Sequence, residues 1–337
     1  KWTLPENIVT NGPYRLVARV NDQSISMAAN PSFGGKKPAL GKIEITIASG
    51  DLCTAQLRAY EAGEIDMATC VPTQDIPRVK ADADLSRQLL PYPIPGTTWA
   101  QYDLSHAPWN DKRVRQALSL AIDREAIVTA VSDGTAHPTA TLVPESIPGS
   151  NPDDALKGTV EDARRLFAEA GFPDGKGFPS FVITSAPTQN RPLVAQLLQQ
   201  MWSENLGINA TINILEENAF RAWVSARKSE PYDVMISGWW SDYADPSNWF
   251  GDLITGDYRN NHFTTPEFAD LVAKANVETD PAKRIELFRA ANKIVEDEAP
   301  VSPLYNPTNL WLVKPYVQGL RHEGVLDFYH IEEVSFQ

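Results

Sequence analysis

The stretch 181-FVITSAPTQNRPLVAQLLQQMWSENLGINATINI-214 decides the fold class. Phe181–Ser185 is an apolar run of strand length. Pro192 suits the opening of a helix, where its missing N–H costs nothing. Leu193, Leu197, Leu198, Met201 and Trp202 then recur at helical spacing, and Gly207 closes the helix. Ile208, Ala210, Ile212 and Ile214 alternate as a strand. A strand, a helix and a strand in that order form a crossover unit, and crossovers build parallel sheets. An α/β chain is therefore expected.

Downstream, a helix over Ala219–Arg227 leads to a strand at 232-YDVMISG-238. Directly after it comes 239-WWSDYADPSNWF-250, with three tryptophans, Tyr243, Phe250, Asp242 and Asp245 in twelve residues. Open α/β sheets hold ligands outside the carboxyl ends of their strands. A carboxylate among aromatics is costly without a partner. Asp242 is thus a candidate anchor for a cationic ligand group. A packed aromatic core with acids on its surface is the other reading. Helices follow from Pro266 and from Asp280-Pro281, then strands at 301-VSPLY-305 and 309-NLWLV-313.

Upstream, Tyr14–Val20 and Ser24–Ala28 read as a hairpin turning at Asn21-Asp22. The segments 43-IEITIA-48, 51-DLCTAQLRAYEAG-63 and 64-EIDMA-68 read as a second β-α-β unit. That unit would bring Cys53 and Cys70 to one sheet edge, so a disulfide between them is open, as are two buried thiols. The stretch 91-PYPIPGTTWAQYDLS-105 is Pro-rich and then strand-like. From Lys112, the residues Val114, Ala117, Leu118, Ala121 and Ile122 mark one helical face, and Asp123 caps the next helix. Residues 133–159 read as loop, and Thr159 precedes a helix stopped by Gly171.

The 337 residues carry a net charge of −13, without the basic face that nucleic acid requires. No run of 18 apolar residues spans a membrane. Two cysteines exclude a Cys-rich zinc site. No two of His106, His137, His262, His322 and His330 have the spacing of a helical zinc pair. HExxH, GxSxG and GxGxxG are absent, and Gly35–Lys42 departs from a phosphate loop in spacing and in Ile43. Asp153-Asp154 and Glu216-Glu217 read as solvated surface. Asn209-Ala-Thr211 fits a glycosylation sequon inside a predicted strand, and chance explains it. No cofactor and no metal site are expected.

Three stretches in order, 6-ENIVTNGPYRL-16, 113-RVRQALSLAIDREAIV-128 after Pro108-Trp109-Asn110-Asp111, and 232-YDVMISGWWSDYADPSNWF-250, resemble the extracytoplasmic oligopeptide- and dipeptide-binding proteins of ABC transporters. The weaker match 62-AGEIDMA-68 lies between the first two. The resemblance implies an α/β, two-lobed periplasmic-binding-protein-like fold of the type II, peptide-binding class, closing on a peptide in an interlobe cleft. It implies that part of one lobe is missing, because relatives carry a long region before N-I-V-T-N-G. Residues 1–100 would be the remainder of the first lobe, 101–305 the second lobe, and 306–337 the return to the first. The start 1-KWTLPENIVTNGPY-14 has no signal peptide and reads as a mature or truncated chain.

By the same resemblance, Asp242 would pair with the α-ammonium of a peptide. Trp239 and Trp240 would shape the wall, and Phe220, Trp99 and Tyr305 are further ligand-facing candidates. Asp245, before Pro246, reads as a turn residue. Relatives can hold a ligand carboxylate with a basic residue just before G-W. Met235, Ile236 and Ser237 stand there instead, so that clamp would lie elsewhere. The implied role is non-enzymatic delivery of short peptides to the membrane permease of an ABC importer, in the periplasm or at the cell surface. The protein would be a monomer, with the missing N-terminal segment as a potential partner. Other solutes bound on the same fold are the alternative: a nickel complex, an opine, a sugar or a murein peptide. A hydrolase using Asp242 and Asp245 is the remote one.

Overall fold

The computed structural model describes residues 3–47, 51–188, 190–226, 231–250, 261–320 and 330–337. The expected strand end at Ala48, the helix end at Arg227 and His322 lie outside the described residues. The chain divides into two compact units. One comprises Lys1–Tyr92, Asn309–Glu323 and Asp327–Gln337, the other Pro93–Thr308 and Gly324–Leu326.

The first unit opens with β1 (Tyr14–Val20), β2 (Ser24–Ala29) and β3 (Lys42–Thr46), an antiparallel sheet in that order. Asp22 turns the β1–β2 hairpin at φ 57°, a left-handed geometry that Asp tolerates. Then follow α1 (Leu52–Glu61), β4 (Met67–Ala68), α2 (Ile76–Ala81) and β5 (Leu89–Pro93). Asp51 caps α1 by accepting from the Thr54 N–H. The expected β-α-β unit is not formed, since β3 and β4 belong to different sheets. The periodicity found the elements but named the wrong pairing partner. Cys53 and Cys70 are nonetheless joined by a disulfide, with their Cα atoms 5.2 Å apart.

The second unit holds β6 (Gly96–Tyr102), α3 (Lys112–Leu120), α4 (Arg124–Ser132), β7 (His137–Pro138), α5 (Val160–Glu169) and β8 (Phe181–Ser185). It continues with α6 (Arg191–Leu206), β9 (Ala210–Ile214), α7 (Glu217–Ala226), β10 (Val234–Trp240) and the short turn α8 (Ser247–Trp249). α9 (Pro266–Val277), α10 (Pro281–Glu298) and β11 (Val301–Asn306) complete it. Asp123 caps α4 as expected, and Asp111, the Thr159/Asp162 capping box, Thr265 and Asp280 cap α3, α5, α9 and α10.

One six-stranded sheet runs through this unit in the order β7-β11-β6-β10-β8-β9. β8 is parallel to β9, as the 181–214 stretch predicts, and also to β10. β6 runs antiparallel between β10 and β11. Every residue of β6 is buried, and its side chains alternate between two cores. Ala100 and Tyr102 enter one with Trp109, Phe167, Phe181 and Trp202. Trp99 enters the other with Trp249, Phe268 and Phe288 from α8, α9 and α10. Fully buried aromatics of this size are worth about 3–5 kcal/mol each against truncation to Ala. The alternation thus fastens helices to both faces of the sheet.

After β11 the chain re-enters the first unit through β12 (Thr308–Val313), which lies between β4 and β5. Leu310 and Leu312 join Leu57, Tyr60, Ile76 and Val79 in that unit's core. β13 (Val317–Gln318) and β14 (Ser335–Phe336) form a final antiparallel pair.

Candidate functional site

β8 and β10 are parallel, so their carboxyl ends share one edge of the sheet. β10 extends through Trp239 and Trp240, which pair with Thr97 and Gly96 at the start of β6. Gly96 is required there. A Cβ at that position would lie 2.2 Å from Trp240 Cδ1 and 2.6 Å from the Trp239 carbonyl oxygen. The chain then leaves the sheet, with the Ser241 N–H bonded to the Pro95 carbonyl at 2.8 Å.

Asp242 stands exposed at this point. Asn248, buried on α8, organises it. The Asn248 Oδ1 accepts from the Trp239 indole N–H at 2.9 Å and from the Asp242 backbone N–H at 3.0 Å. Its Nδ2 donates to Asp242 Oδ2 at 3.3 Å. One buried amide therefore fixes an indole and a surface carboxylate relative to each other. Trp240, 48% exposed, lies at the same strand end. The carboxylate is not sunk into an aromatic core; it is presented to solvent from a rigid base.

Asp245 has a different role. Arg284 of α10 grips it with both terminal nitrogens, one contact being 2.8 Å, and Asp245 also accepts from the Ser247 N–H at 2.9 Å. Burial pushes the Asp245 carboxyl up, but the Arg284 and Ser247 bonds outweigh it and hold the group below its ordinary range. The turn that carries Asp242 is thereby tied to α10.

The other candidates are placed in the interior. Trp99 is 1% exposed, edge-on to Trp249 at 6.4 Å between ring centroids. Phe220 packs in a small cluster with Ala186, Tyr232 and Met235. Tyr305 is buried, and burial raises its hydroxyl pKa. Trp239, Trp240 and Asp242 thus come together, while Phe220, Trp99 and Tyr305 pack beneath and beside the sheet.

Two residues escaped the sequence reading. Asn248 gives no motif signal, because its partners are known only once the strand end folds over it. Arg191 opens α6, the helix that follows β8 after a short loop, at the edge where Asp242 stands. Burial pulls its guanidinium below its ordinary range, while Tyr305 and Glu217 nearby oppose that pull. A cation opening the helix after a strand of the crossover unit is the signal that could have found it.

The family described as bacterial extracellular solute-binding proteins, family 5, matches residues 1–261. The chain belongs to that family. The oligopeptide-binding protein OppA of Bacillus subtilis is 28% identical over 346 residues, which cover 98% of this chain and 62% of that protein. The murein peptide-binding protein MppA of Escherichia coli is 26% identical, covering 95% of this chain and 59% of that protein. A crystal structure of an oligopeptide-binding protein from Borrelia burgdorferi superposes with a TM-score of 0.78 at 25% identity, covering 100% of this chain and 66% of that one. The mixed α/β architecture is that of the periplasmic peptide-binding proteins, over about two-thirds of their usual length.

Proposed function

We propose that this chain is the greater part of an extracytoplasmic receptor for short peptides that serves an ABC-type importer, and that Asp242 receives the peptide α-ammonium. The observation that carries the reading is the Asn248 clamp, which holds an exposed carboxylate in a fixed direction beside Trp239. An exposed acid on a flexible loop would offer charge without geometry. This one offers both, and a charge-assisted hydrogen bond depends on both. The peptide-binding names of the relatives point to the same ligand class.

Arg191, at the same sheet edge, is the cation a ligand carboxylate would meet, next to the N-terminus of α6, where anions are favoured. Between the two charges an extended peptide is held by main-chain hydrogen bonds, with side chains in hydrated pockets. No chemical step is needed. Asp245 is engaged by Arg284, which argues against a working carboxylate pair with Asp242. Calorimetric titration with a free tripeptide and with its N-acetylated form tests the reading. The free peptide is expected to bind and the blocked one to bind far more weakly; equal binding would refute the role of Asp242.

A further inference from the structure

α10 carries two buried polar side chains four residues apart, Asn292 and Glu296. That spacing puts both on one helix face. Their neighbours Ala291 and Val295 belong to the apolar cluster of Trp99, Leu142 and Trp249. Asn292 is fully buried, and neither its amide nitrogen nor its oxygen has a hydrogen-bond partner among the described residues. Buried polar atoms are normally paired.

Glu296 does have a partner: its Oε1 accepts the Leu142 backbone N–H at 2.8 Å. The carbonyl of the same residue accepts from Thr97 Oγ1, also at 2.8 Å. Thr97 is paired with Trp239 across β6 and β10, and its hydroxyl accepts from Asn306 Nδ2 at 2.9 Å. Leu142 is therefore pinned from both sides. One of the two pins sits opposite the tryptophan that Asn248 fixes beside Asp242.

We infer that Glu296 is a positioning residue for the ligand end of β10, acting through Leu142 and Thr97, and that ionising it withdraws this support. Burial raises the Glu296 carboxyl to about 8; the Leu142 bond and Arg124 of α4 pull it down, and Asp154 pushes it further up. On α3, Lys112 pairs with Asp297 and Glu298, and Arg115 with Glu298, further along α10. On α9, Lys274 and Asp270 pair at the surface. At neutral pH Glu296 is thus an uncharged acid, able to donate as well as accept beside Asn292. The anion is better hosted by water than by an apolar cluster. Its formation favours conformers that release Leu142.

The ligand half of this inference rests on the peptide reading above; the ligand-free half does not. Wild type and Glu296→Gln are compared from about pH 5 to about pH 9, a range covering most of the interval between the ordinary carboxylate value and the raised one. The first measurement is hydrogen exchange at the Leu142 amide without ligand, corrected for the intrinsic rate. Protection is expected to fall as pH rises toward about 8 and to level off above it in the wild type, and to stay level in the variant. Level protection in the wild type, or an equal fall in both, overturns the inference.

The second measurement is affinity for a free tripeptide. The ligand's own amine titrates near pH 8, so affinity falls in both proteins. Below about pH 8 the wild type is expected to fall faster, by up to about tenfold more per pH unit, and above it the two curves run parallel. Affinity curves parallel throughout, beside a clear exchange difference, overturn the link to the ligand. Absence of tripeptide binding in both proteins, with the exchange difference intact, refutes the peptide reading and upholds the hold of Glu296 on Leu142. Thr97→Val, which removes the donor to the Leu142 carbonyl, is expected to abolish the difference in affinity slope; its persistence overturns the route through Thr97.

Discussion

Asn248 holds Asp242 from two sides, accepting its backbone N–H at 3.0 Å and donating to its carboxylate at 3.3 Å. The same amide oxygen accepts the Trp239 indole. Replacing Asn248 by Ala strips two donors of their acceptor at a buried position. A loss of about 1–3 kcal/mol in stability is expected. Denaturant melts measure it. Weaker tripeptide binding should accompany it, because Asp242 then samples many directions. Unchanged stability would show that the amide is not engaged as described.

Asp245 and Arg284 tie the turn that carries Asp242 to α10. Asp245→Asn should cost about 1.5–3 kcal/mol near neutral pH, the range for hydrogen bonds to charged groups. The pH dependence has a definite sign. The Asp245 carboxyl is held below its ordinary range, so its stabilising contribution is present above that range and lost as pH falls through the folded value. Wild type and variant should therefore converge in stability in acid, below about pH 4. Melting curves at neutral and acid pH check this.

Gly96→Ala is expected to disturb the site without adding any charge. The new methyl group would meet the Trp239 carbonyl oxygen, part of the backbone, as well as the movable Trp240 ring. A destabilisation of about 1–3 kcal/mol follows from such overpacking. Tryptophan fluorescence should shift, since the Trp240 ring must leave its place against Gly96.

The Cys53–Cys70 bridge closes a short loop, with 17 residues of sequence separation. Loop-closure entropy assigns it about 3 kcal/mol. Thermal melts with and without reductant should differ accordingly, as should a Cys53→Ser, Cys70→Ser double variant.

Most of the longer helices were legible because each carries its own signal: apolar residues at helical spacing, with Asp123 or Thr159 just before them. The parallel pair β8-β9 was legible because α6 connects them within one stretch. Pairing across distance was not. Nothing near Gly96–Tyr102 announces that β6 lies antiparallel between β10 and β11, more than a hundred residues away. The same gap produced the mistaken β-α-β reading of β3 and β4. At the site, resemblance pointed to Asp242 and Trp239, which the fold brings together around Asn248. Asn248 and Glu296 were not, because 295-VEDE-298 offers no local sign of which acid turns inward.

The most direct test of the central claim is a calorimetric titration of wild type and Asp242→Ala with a free tripeptide and its N-acetylated counterpart. A desolvated charge pair is worth about 2–5 kcal/mol. Asp242 is exposed without ligand, so solvent screening trims that figure. The account predicts that the substitution weakens the free peptide about tenfold or more and leaves the acetylated one nearly unaffected. Equal losses for both peptides, or no loss for either, would contradict it.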